Sequence, residues 1–490
     1  DDRAPARIRH SYAEMARARM LMIAAGYEDC DDVDTLRTDP ALKIAVGRAP
    51  DTGADLMSQP TLSRLENLAG WRALTRIGLG QIDLYCRSFA RPPARIVLDI
   101  DDTDDPVHGQ QELALFNAHY DCTCFQPIHI FDGLSGKPIL SLLRPGKRPS
   151  GEEVAKVLRH VIGRIRKHWP NVAILVRGDS HYCSEPALAL LEAMRCDYII
   201  GFAINAKLLD IAAPWRAQCD WHRSRFKPTV RRFHQLPYRA REWSRSRKLV
   251  ARVEATGVGT DVRFIVTSLE GRGKTLYEKV FCARGRAENL IKDLKRFTRS
   301  DKTACARWQA NQFRLFLHVG AYWLLHTLRN AAPKGSRWRG ATFETIRRTF
   351  VKVTAKSDAF KLLCVPDNLH EADAIDDLDI RFDGAEPDLS VAQDLHRDDP
   401  AHVREGCRAR RGAEGPYQAR LPGQLPAGRD ARRDDRSHHH ARPLTDAAHA
   451  ARAQIANPQR LPNVPEPNPV NPADPSRQLA IPQTFANRTG

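Results

Sequence analysis

No run of roughly 18 apolar residues occurs anywhere in the chain, so the usual signature of a membrane-spanning helix is missing. The opening stretch, DDRAPARIRHSYAEM, has no apolar segment of the kind a secretory signal needs. It also starts without an initiator Met, and a fragment or a processed chain is the expectation. No C-x-x-C pair occurs among the 11 cysteines, and the nearest two, Cys122 and Cys124, are too close for an ordinary zinc pair. A scattered odd count reads as reduced cytosolic thiols, not as a disulfide framework. Acidic residues are outnumbered: 59 Asp plus Glu stand against 76 Lys plus Arg, a net charge of +17. Such an excess favours phosphate backbones and predicts salt-sensitive binding to nucleic acid. The competing reading is an Arg-rich composition without function.

What is present divides along the chain. Residues 1 to about 92 read as helical. YAEMARARMLMIAAG has helical apolar spacing and stops at a Gly. Ser58 can cap a second helix with Pro60 in its first turn. There Leu62, Leu65 and Leu68 would face inward, and Ser63, Arg64 and Asn67 outward. Those three polar types can contact DNA, and a plain solvated face is the alternative.

From Arg95 the period changes. RIVLDID, PIHIFD and PILSLLR predict three strands, followed by a helix from Glu152 to about Trp169. Strand VAILVRGD, a helix near Pro186 to Met194 and strand DYIIGFA complete a β-β-β-α-β-α-β order. That order predicts a mixed five-stranded α/β sheet with helices on both faces. Residues about 205–272 read as a β-rich insertion carrying Arg231, Arg232, Arg239, Arg241, Arg245, Arg247 and Lys248. Two long helical patterns follow, about 275–299 and 303–330, the second apolar nearly all round and so expected to be buried. A helical extension over 333–360 and a disordered or frame-shifted tail over 361–490 are the expectations beyond.

The chemistry concentrates in RIVLDIDDTDD, where five carboxylates fall within seven positions. On a strand Asp99 and Asp101 would share one face and Asp102 would take the other. A carboxylate at the end of a buried strand is costly unless a cation compensates it, and Mg²⁺ accepts such oxygen ligands. Asp104 and Asp105 read as solvated or as lying behind the metal ligands. VLDIDDT resembles the Asp-x-Asp-x-Thr opening of the haloacid dehalogenase phosphatases, which would make Asp99 a nucleophile and Asp101 an acid/base. The Gly-Asp after VAILV agrees with that family, but Cys183 stands where its next acid belongs, and the strand order differs.

A second pattern uses three places. VAILVRGD delivers Asp179 at a strand end, and FCARGRAENLIKDLK carries Phe281, Arg284, Glu288 and Lys295 at Phe-x2-Arg-x3-Glu-x6-Lys spacing. Arg284, Glu288 and Lys295 then lie on one helical face. With LDIDDTDDPVHGQQ, LRPGKRPSG, RGDSHYC, YIIGFAINAKL and ANQFRL, this set resembles DDE transposases of bacterial insertion sequences, in particular the 1380-type family. The resemblance covers about residues 8–350, with Phe281 where the group usually has Tyr.

That resemblance implies a ribonuclease H-like catalytic domain over 93–332, behind a helical DNA-binding domain over 1–92. It implies a metal triad of Asp101, Asp179 and Glu288, with Asp99 and Asp102 as rivals for the first ligand. Two Mg²⁺ ions about 3.5–4 Å apart, replaceable by Mn²⁺, would clamp the scissile phosphate. Arg284 and Lys295 would hold phosphates, as would Arg64, Arg241 and Arg245. Trp243 would be a stacking platform for a flipped base, or else a packed core residue. The implied partners are double-stranded DNA, as element ends and as target, and a second copy of the chain in the synaptic complex. The implied setting is the bacterial cytoplasm at the nucleoid. A catalytically decayed DNA-binding remnant is the remaining alternative.

Overall fold

A computed structural model describes residue 1 and residues 3–352 of the chain. The expected tail over 361–490, and the last part of the 333–360 extension, lie outside the described residues. Five helices precede the first strand: α1 (Tyr12–Ala25), α2 (Val33–Leu36), α3 (Pro40–Ala45), α4 (Gln59–Leu68) and α5 (Trp71–Arg87). Helix α1 begins where the Ser11 side chain accepts the Glu14 amide and ends where Gly26 turns left-handed at φ 94°. In α4, Leu62 and Leu65 are buried as expected, but Leu68 is 56% exposed. The inward position goes to Glu66, a buried carboxylate between Arg19 of α1 (3.1 Å) and Arg314 (2.8 Å). Despite the burial, Arg314 and Arg19 hold the Glu66 carboxyl below its usual range. The stripe therefore turns toward an ion network that a count of apolar residues cannot reveal.

The strands and later helices follow in order. They are β1 (Arg95–Asp102), β2 (Asp105–Pro106), β3 (Leu115–Asn117), β4 (Cys122–Phe125), β5 (Ile128–Asp132), β6 (Pro138–Leu142) and α6 (Gly151–His168). Then come β7 (Ala173–Gly178), α7 (Glu185–Ala193), β8 (Asp197–Phe202), α8 (Ala206–Phe226), β9 (Val230–Tyr238), β10 (Arg247–Thr256) and β11 (Gly259–Thr267). The described part ends with α9 (Gly273–Thr275), α10 (Gly285–Asp293), α11 (Trp308–Ala331) and α12 (Phe343–Ile346). A capping box of Ser150 and Glu153 starts α6.

One sheet holds eight strands in the order β6-β5-β1-β7-β8-β11-β10-β9, and a small sheet holds β2-β4-β3. The five expected strands lie side by side in the large sheet, but the sheet does not stop at five. Strand β11 pairs antiparallel with β8, with Ile265 opposite Gly201, so the expected insertion continues the main sheet. Its first third is not β-rich either: Ala206–Phe226 is a helix, capped by the Asn205 side chain on the Leu208 amide. Leu208, Ala212 and Cys219 are its buried positions, while Pro214 inside the helix conceals that spacing. Strand β1 pairs parallel with β7, and β7 with β8, while β5 runs antiparallel to β1. The C-terminal ends of β1 and β7 therefore lie together. Helix α11 is buried on nearly every face, as expected, and packs against α1, α4, α5 and β6.

Candidate active site

The parallel register of β1 and β7 sets Asp99 opposite Arg177. Two residues further come Asp101, on the same face of β1 as Asp99, and Asp179, just past the end of β7. The two pairs have different fates. Asp99 is fully buried and bound bidentately by Arg177, Nε to Oδ1 at 2.6 Å and Nη2 to Oδ2 at 2.7 Å. Arg177 also donates from Nη1 to the Val280 carbonyl at 2.9 Å, tying the sheet to the segment before α10. Gly133 makes room for this clamp, since a Cβ there would come within 2.4 Å of both Arg177 Nη2 and Asp99 Oδ2.

At the strand ends the third acid arrives. Helix α10 buries Ala287, Leu290 and Ile291, and Arg286 fastens it by donating to the carbonyls of Gly133 (3.1 Å) and Leu134 (2.7 Å). Glu288 is thereby turned toward the ends of β1 and β7. Arg284 stands among all three acids. Its Nη1 lies 3.0 Å from Asp101 Oδ2, and its Nη2 lies 2.8 Å from Asp179 Oδ1 and 3.2 Å from Glu288 Oε1. The Asp101 side chain is 9% exposed, against 43% for Asp179 and 60% for Glu288. The site thus has a buried floor and an open rim. Burial, opposed by Arg284 and reinforced by the charges of Asp179 and Asp102, pushes the Asp101 carboxyl up to about 7.

The donor set suits a hard divalent cation: three carboxylates, from two strand ends and a helix, converge with excess negative charge. In the arrangement described, the guanidinium is the charge they share. Among the described residues, no group of three or more His, Cys, Asp or Glu side chains is placed so that it could hold a metal ion as it stands.

The neighbouring acids are used otherwise. Asp102 accepts from Gln126 Nε2 at 2.9 Å and lies 3.2 Å from His181 Nε2, on the other face of β1 from Asp101. Asp105 corrects the expectation of a solvated residue. It is buried, and burial, partly offset by Lys295, pushes its carboxyl up to about 8. Lys295 is correspondingly committed to this turn, donating to Thr103 Oγ1 at 3.2 Å and to the Asp104 carbonyl. Tyr120, on the β3–β4 turn, lies in the field of Asp102, Asp104 and Asp101, which adds to burial in pushing its phenol up to about 12. Arg177, Gln126, His181 and Tyr120 were not singled out from the sequence. Only Arg177 left a signal there, as a charge inside an apolar strand two residues before Asp179.

The remaining expected contacts divide by exposure. Arg64 and Arg241 are exposed, as is Arg245, which pairs with Glu192 at 3.0 Å. Trp243 is 4% exposed and packs on Phe202 and Tyr238, so of its two readings the structure has the packed one. Phe281 is half-buried against Tyr277.

A family model described as "Transposase DDE domain group 1" matches residues 1–358. A solved structure, the "Cryo-EM structure of piggyBac transposase synaptic complex with hairpin DNA (SNHP)", is similar over 73% of this chain and 77% of that chain. The identity is 11% and the TM-score 0.38, a likeness too slight to argue from. No curated protein matches the chain.

Proposed function

The chain belongs to the transposase DDE domain group 1 family, and from that premise we propose that it cuts and joins DNA at the terminal repeats of a bacterial insertion sequence. The observation that carries this reading is the convergence of Asp101, Asp179 and Glu288 on one guanidinium at the open end of the sheet. The 1380-type family fits the sequence stretches best. The run β6-β5-β1-β7-β8 supports a ribonuclease H-like core, here enlarged by three further strands.

Asp101, Asp179 and Glu288 would hold divalent cations, Mg²⁺ or Mn²⁺. When bound, such ions supply Lewis-acid polarisation of a phosphate and a nucleophile at neutral pH. The protein's own residues do the positioning. Arg177 fixes β1 against β7 through Asp99, so the ends bearing Asp101 and Asp179 stay in register. The Asp102 amide donates to Asp101 Oδ1 at 3.1 Å, which leaves Oδ2 to face the site. Lys295 offsets the acidic turn beside it. Arg64, Arg241 and Arg245 are the exposed cations assigned to phosphates, with residues 1–92 as a DNA-binding region and two copies acting together in the cell interior.

The phosphatase reading loses support at Asp99, whose oxygens are both taken by Arg177 in a fully buried position. The test is cleavage of DNA carrying the element's ends in Mg²⁺. Asp179→Ala and Glu288→Ala should each cut at least about 100-fold more slowly while still binding the ends. Undiminished cleavage by either variant would sink the proposal. End binding without cleavage by the unaltered chain, in Mg²⁺ or Mn²⁺, would instead favour a decayed remnant.

A further inference from the structure

Arg284 is the side chain nearest to all three acids, and its two terminal nitrogens are both used on them. We propose that Arg284 is a resident counter-charge. Without metal it holds Asp101, Asp179 and Glu288 together, and it must leave when a divalent cation binds. This rests on reading those acids as metal ligands.

Three observations support the exchange. First, the oxygens facing the guanidinium are the ones a cation would need, and two positive groups cannot share them at such distances without strong repulsion. Second, Arg284 is only 11% exposed, so its charge is held inside the carboxylate cluster and is not a rim contact. Third, the backbone around it is irregular. A π-helical turn over Leu276–Phe281 passes into a 3₁₀ turn over Cys282–Arg284 and then into α10 at Gly285. Such transitions inside a helical run mark places where a segment can change its winding. Arg284 is the last residue of the 3₁₀ turn, whereas Glu288 sits inside α10, whose Ala287, Leu290 and Ile291 are buried. The freed guanidinium would then face the phosphate that the metal recruits, so metal binding and phosphate binding would reinforce each other.

The test uses the full chain, stripped of metal and titrated with MnCl₂. Bound Mn²⁺ is read by loss of the free-ion electron paramagnetic resonance signal, and thermal melting is followed in parallel. Arg284→Gln removes the charge and shortens the side chain while leaving it polar. It should bind Mn²⁺ about tenfold more tightly than the unaltered chain, because the competitor is gone. It should also melt lower than the unaltered chain without metal and gain more on Mn²⁺ addition. Arg284→Lys, which keeps one charge without the fork, should fall between the two. Equal or weaker Mn²⁺ binding by Arg284→Gln, or by Arg284→Lys if the first variant does not fold, overturns the exchange and leaves the metal reading standing. Absence of Mn²⁺ binding in every form, the unaltered chain included, overturns the metal reading and the exchange together.

Discussion

Asp99 and Asp101 stand on the same face of β1, two positions apart, and their neighbours on β7 separate them. Arg177 claims the first, and Asp179 joins the second. The pairing follows from parallel register, and the sequence carries it as two matched doublets, Asp-x-Asp in one apolar strand and Arg-x-Asp in the other. It could not be read in advance because register is a property of two strands and appears in neither alone. Breaking a buried ion pair by removing one partner leaves the other either charged without a partner or forced to take up a proton, and both are costly. Arg177→Ala should therefore lower unfolding free energy by about 3–5 kcal/mol, measured by denaturant melting. A loss under about 1 kcal/mol would mean that the Arg177–Asp99 pair contributes little to holding β1 against β7. Burial already pulls the Asp99 carboxyl upward against Arg177, so the variant should hold Asp99 protonated. Glu66 and Asp105 escaped the sequence reading for a related reason: each is an acid buried by a distant base, Arg19 and Arg314 for one and Lys295 for the other.

At the scale of elements, those with strong periodicity were legible and those with mixed signals were not. The five strands from β1 to β8 in the large sheet and the helices between them follow their apolar patterns closely. Helix α8 did not, because Pro214 breaks the helical pattern that would have marked its buried positions. The strands β9 to β11 were legible as strands but not as a continuation of the sheet, since edge-to-edge joining depends on β8 being left open. Their addition has a local consequence. Gly201 on β8 runs under the turn that carries Asp179, and a Cβ there would lie 2.8 Å from the Ser180 amide nitrogen. Gly201→Ala should push that turn and misplace Asp179. The expected result is a loss of cleavage of about tenfold or more with a fall in stability of no more than about 3 kcal/mol. Cleavage at the original rate would show that the turn tolerates the added methyl group.

For the whole molecule, the apparent contradiction of an acid cluster in a chain of net charge +17 resolves into two environments. Asp101, Asp179 and Glu288 gather around the Arg284 guanidinium, and Arg64 and Arg241 are exposed cations. No helix among the described residues is long and apolar enough to cross a membrane. Membership of the DDE transposase family was legible from short stretches, because acids at strand ends and on one helix recur at fixed sequence spacings. The central claim is that these carboxylates are metal ligands in a DNA-cutting site, and a change of ligand softness addresses it most directly. The measurement is cleavage of DNA bearing the element's ends by Asp101→Cys, in Mg²⁺ and then in Mn²⁺. Thiolate binds softer ions better than Mg²⁺. The account predicts cleavage reduced at least about 100-fold in Mg²⁺ and substantially restored in Mn²⁺. Full cleavage in Mg²⁺ by this variant would contradict it.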